Sequence, residues 1–331
     1  MKKNIIAVLL CLLAVFALAA CKGDALPDEP IVTDTGDAAP AGDDPVDPGV
    51  TPPAGNDPGD TGATLSDDTG TSKKPPSEWA EEREKLTLTF DTKDGITVTA
   101  DLYRIHNEAP CVIMFHKDDS SRGEYHRIAP LLNDIGFNCL AVDLRLGWES
   151  NGVLNSTYAG AIAQWRYVDV FTSEDSFINA LPDVMIDMMT AVLYARNELK
   201  AEKIIIMGSG YSATLALAIA SEFPEIMDGV MSLSPLDLVV DGKTIEDYAT
   251  AITGPVLITV QLESGQKEEI EAIFERIPSE EKYLVITDDH ATDALAYENA
   301  DTATIENPVW RPVIDFLLAY LVHSDEWIIW N

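Results

Sequence analysis

The chain has 331 residues, 46% of them apolar, and carries 56 acidic against 22 basic residues for a formal net charge of −34 at pH 7. A surplus of that size argues against nucleic acid as a partner, because binding a phosphate backbone needs a basic face. It also repels strongly anionic ligands.

The first element is an apolar run from Ile5 to Ala20, preceded by Lys2 and Lys3 and followed by Cys21. A charged start, a hydrophobic middle and a small-residue exit make an export signal, too short and too weakly flanked for a lasting membrane span. The stretch Leu18-Ala19-Ala20-Cys21 resembles the lipobox of bacterial lipoproteins. That resemblance implies loss of residues 1–20, acylation of Cys21 as the mature N-terminus, and a lipid anchor on the outer face of a bacterial membrane, either the cell membrane or an outer membrane. Each buried methylene of such an anchor contributes about 0.8 kcal/mol. An ordinary signal peptide cut nearby is the alternative.

Residues 21–78 form the second segment, rich in Pro, Gly, Asp, Thr and Ala, with thirteen acidic residues and three lysines between Lys22 and Glu78. So few large apolar side chains cannot offset the entropy of ordering a chain, which predicts a disordered tether held extended by its own charge. Residues 79–331 remain for one large α/β domain with a substantial core. They carry 43 acidic and 17 basic residues.

Within the domain, Leu86–Phe90 and Ile96–Tyr103 alternate apolar and polar about an Asp94-Gly95 turn, which predicts an N-terminal β-hairpin. Short, fully apolar runs follow at 111–115, 138–142, 203–207, 229–233, 255–260 and 283–286. Runs of that length alternating with helices predict a mainly parallel sheet covered on both faces. The helices are expected at 125–135, 181–199, 211–223, 267–276 and 308–322. Residues 146–177 show no period and are longer than an ordinary connection, so they are expected to form a small cap over a pocket.

Cys111 and Cys139 each fall early in an apolar run. Export would permit a disulfide, but two cysteines inside parallel strands are expected to be free buried thiols. No cysteine spacing of metal type is present, and His116 with Asp118 and Asp119, or Asp288 and Asp289 with His290, read as polar loops at strand ends rather than metal sites. No cofactor is expected.

A hairpin followed by a parallel α/β sheet, with a glycine-framed turn after Ile204-Ile205-Ile206-Met207, resembles the α/β-hydrolase fold, and within it the dienelactone-hydrolase-like and esterase-like branch. The likeness extends to the loops 116–125, 143–157 and 290–295. It implies carboxylic-ester hydrolysis by a nucleophile on a strained turn, a histidine that takes its proton and a carboxylate that orients the histidine. The turn normally reads Gly-x-Ser-x-Gly, and this chain reads Gly208-Ser209-Gly210-Tyr211-Ser212. Gly210 therefore occupies the nucleophile position without a side chain to attack with. Ser209 or Ser212 could serve only if the strand or helix boundary shifted.

The same resemblance implies His290 as the histidine. Glu263 reads either as the acid or as a solvated loop charge, and Asp237 is a second candidate. Backbone N–H groups of Tyr211 and Lys117 would form the oxyanion hole, and His116, Asp118 and Glu149 would line the pocket. Three functions fit: a degenerate hydrolase that holds a small-molecule ligand, an active esterase using Ser209, Ser212 or a His290-activated water, and a non-enzymatic surface scaffold. An ester or other small molecule, and the membrane through Cys21, are the expected partners.

Overall fold

A computed structural model of the protein describes residues 84–107, 109–261, 265–287 and 310–322. The expected leader, Cys21 and the expected tether lie outside the described residues, as do Glu263 and His290.

Strands β1 (Glu84–Asp91) and β2 (Thr97–Arg104) form the expected antiparallel hairpin. Its turn closes by Thr92 N–H donating to the Ile96 carbonyl at 2.8 Å, with Gly95 at φ +82° where a side chain would be strained. Next come β3 (Cys111–Phe115), helix α1 (Ile128–Asp134) and β4 (Asn138–Val142), then a cap containing the two-stranded β5 (Glu149–Ser150) and β6 (Val153–Leu154) and helix α2 (Ser156–Ala163). Helix α3 (Glu174–Asn197), β7 (Ile204–Ser209), α4 (Tyr211–Glu222), β8 (Gly229–Leu233), α5 (Ile245–Ala249), β9 (Val256–Gln261), α6 (Lys267–Arg276), β10 (Lys282–Thr287) and α7 (Trp310–Val322) complete the order.

The eight-stranded sheet runs β1-β2-β4-β3-β7-β8-β9-β10, parallel from β4 to β10 and antiparallel only through β1 and β2. Successive strand residues divide between two cores, as the period of two requires. Cys111, Ile113 and Phe115 join the cluster that includes residues of α3, α4 and α6, whereas Val112 and Met114 join the one with α1 and α7. Cys111 and Cys139 fall into opposite clusters, and both thiols are free and buried.

Helix α3 starts earlier than the apolar pattern predicts. Ser173 caps it by accepting from Ser176 N–H, and Glu174 and Asp175 complement its N-terminal dipole. By length and composition α3 could cross a bilayer. Its Leu181, Val184, Met188 and Ala191 are instead fully buried in the domain core.

Candidate active site

The sheet's parallel strands deliver their carboxyl ends to one edge, where loops after β3, β4, β7 and β8 meet. The turn from β7 into α4 is the sharpest of them. Gly208 must be glycine because a β-carbon there would overlap the carbonyl oxygen of Ser212, so its absence lets α4 pack directly on β7. Gly210 caps α4 with φ +59° and ψ −121°, a backbone state that L side chains rarely adopt. Its N–H donates to the Leu233 carbonyl at 3.1 Å, which ties the apex to the end of β8.

Both flanking serines are buried. Ser209 is 1% exposed and Ser212 fully buried. The Ser212 hydroxyl accepts from Ser209 N–H at 2.9 Å and lies 2.7 Å from the Phe115 carbonyl oxygen, to which it donates. It joins β3, β7 and α4 at the elbow.

The two amides expected to bind an oxyanion differ. Tyr211 is the first residue of α4, where a helix leaves its N–H groups without intrahelical acceptors. The Lys117 N–H instead donates to Oε2 of Glu124, at 3.1 Å, a carboxylate carried in the buried turn 122–125. Sequence reasoning missed Glu124 because its partner lies seven residues away around a loop whose path no local pattern fixes.

His116 is wholly buried. Its Nδ1 lies 2.7 Å from the Lys117 carbonyl oxygen and Nε2 lies 2.9 Å from the Leu144 amide nitrogen, so Nδ1–H donates and Nε2 accepts. Burial pushes its pKa down to about 4, against the upward pull of the Lys117 carbonyl, and the ring is neutral at pH 7. This histidine braces the loops after β3 and β4 rather than facing a ligand. Asp118 is exposed, and the exposed Glu149 accepts from Gly152 N–H at 2.6 Å to close the turn between β5 and β6. Asp237 is exposed after β8. No group of three His, Cys, Asp or Glu side chains gathers as a metal site among the described residues.

The cap is fastened by a buried cation that the sequence did not disclose. Arg145, fully buried after β4, donates to both oxygens of the equally buried Asp187 on α3, to Asp94 in the hairpin turn, and to the Tyr167 hydroxyl in the cap. Burial works against the Arg145 cation, but the hydrogen bonds to Asp187 and Asp94 outweigh it and raise its pKa. Through the cap, aromatic rings run from the half-exposed Trp148 through Tyr158, Phe171 and Phe177 to the buried Tyr211, with neighbouring centroids 5.6–6.4 Å apart. An apolar aromatic row thus reaches the residue next to Gly210.

The fold is similar to that of a dienelactone hydrolase from Anabaena variabilis, with TM-score 0.53 and 17% identity over 73% of this chain and 98% of that one. It is similar also to an esterase from Pyrococcus furiosus, with TM-score 0.52 and 16% identity over 76% of this chain and 96% of that one. No protein-family model matches the chain, and no curated protein matches it in sequence. The chain has an α/β-hydrolase fold, and what it does with that fold depends on its own site.

Proposed function

We propose that this protein is an exported, membrane-anchored α/β-hydrolase-fold lipoprotein, derived from carboxylic-ester hydrolases, that holds a small neutral ligand instead of cleaving it. One observation carries the reading: the apex of the elbow, at φ +59°, is Gly210, without a nucleophile. The bonding of Ser212 supports it, because its buried hydroxyl is engaged by the Ser209 N–H and the Phe115 carbonyl. The Glu124 carboxylate on the Lys117 amide supports it further, since that donor is already occupied. The acid surplus favours a neutral ligand over an anionic one.

The anchor rests on Cys21 and the residues before it, and intact-mass analysis of the N-terminal peptide tests it by the presence of acyl chains. The loss of catalysis is tested with a fluorophosphonate, which forms an adduct with an activated serine. The expected result is no adduct on the natural protein. An adduct mapped to Ser209 or Ser212 would establish the active-esterase reading in its place.

A further inference from the structure

Leu233 ends β8 and its carbonyl accepts the Gly210 N–H, so the next residue, Ser234, stands beside the apex of the elbow at the carboxyl edge of the sheet. Ser234 has φ +53°, in the left-handed region that a non-glycine residue occupies at a cost. Its N–H donates to the Thr259 carbonyl at 3.1 Å, which pins the backbone in that state. Its Oγ is buried and has no hydrogen-bond partner among the described residues. A buried hydroxyl left unpaired is destabilising, and native structures rarely keep one without a reason. Glycine at this position would remove both penalties together. The fold gains nothing visible from the serine, and the two penalties coincide next to the one position where the hydrolase nucleophile is missing.

We infer that Ser234 is a ligand-binding residue of the Gly210 site, donating its hydroxyl hydrogen to a neutral carbonyl oxygen of a ligand whose apolar part lies along the cap's aromatic row. This inference rests on the ligand-holding reading above. An oxygen acceptor suits the place because the first amides of α4 are donors too. A neutral acceptor suits the charge, because the whole chain is strongly acidic. An aromatic group suits the rings of the cap that keep an exposed face, Trp148, Phe171 and Phe177.

The test uses the full chain in detergent micelles and two probes, neutral N-benzylacetamide and anionic phenylacetate, with affinity read by ligand-observed NMR and stability by thermal unfolding. The natural protein binds N-benzylacetamide more tightly than phenylacetate. Ser234→Gly weakens N-benzylacetamide about tenfold, the worth of one hydrogen bond, while raising the melting temperature. Failure of the natural protein to bind N-benzylacetamide, or an affinity unchanged in Ser234→Gly, overturns the inference. A melting temperature lowered by Ser234→Gly also overturns it, because the hydroxyl would then serve the fold through an ordered water. N-benzylacetamide is no ester, so ester turnover by the natural protein would defeat the ligand-holding reading without deciding the Ser234 contact.

Discussion

The β-carbon of Lys117 lies across the elbow from Gly210, 3.2 Å from where a side chain on Gly210 would begin. A side chain there is crowded by a few tenths of an ångström and also forced into φ +59°. Gly210→Ala and Gly210→Ser are therefore each expected to cost about 1–3 kcal/mol of stability, measured by urea unfolding. Equal or greater stability in both variants would show that the elbow is not strained.

Ser212 is expected to matter for folding and not for chemistry. Replacing it by alanine leaves the buried Ser209 N–H without its acceptor, at a cost of about 1–3 kcal/mol. Unfolding midpoints for Ser212→Ala read this loss directly. A variant as stable as the natural protein contradicts the bracing role.

The Arg145–Asp187 pair should behave as a buried ion pair does. Asp187→Ala leaves a fully buried guanidinium short of its partner, an expected loss of about 3–5 kcal/mol. The double change Arg145→Met with Asp187→Leu removes both charges and should cost much less than Asp187→Ala alone. If the double variant is the less stable of the two by denaturant unfolding, the pair supports the cap by more than mutual neutralisation.

His116 ties stability to pH. Its folded pKa, about 4, lies below the ordinary 6.5, so the unfolded chain binds the proton more readily than the folded one. The stability that depends on neutral His116 is complete above pH 6.5 and is lost as pH falls toward 4. Asp94, held below the usual carboxylate range first of all by its Arg145 hydrogen bond, loses its contribution in the same direction, below the ordinary carboxylate pKa. His116→Asn is therefore expected to be less stable at pH 7 but to show a flatter stability profile between pH 6.5 and 4. An unchanged slope in that variant would assign the acid sensitivity elsewhere.

Much of the fold was legible because its signals are local. The 138–142 and 229–233 runs and the 267–276 helix match β4, β8 and α6 at both ends, since apolar strands and an acidic helix start need no distant partner to be recognised. Helix α5 was missed although Thr244 and Asp247 form a capping box, because five residues leave no measurable period. The cap hid α2 for the same reason: eight residues capped by Asn155 inside a mixed polar and aromatic stretch. The glycine at 210 was readable from spacing alone, but the constraints around it were not. Arg145 meets Asp187 42 residues later and Asp94 51 residues earlier, and Ser234 shows its strain and its unpaired hydroxyl only once β8 is set beside β7.

The most direct test of the central claim compares hydrolysis of short p-nitrophenyl esters by the natural protein and by Gly210→Ser, each with and without His290→Ala. The natural protein is expected to be inert, and Gly210→Ser to gain a slow activity that disappears with His290. Turnover by the natural protein that is lost in His290→Ala would contradict that claim, because a nucleophile other than residue 210 would then be at work.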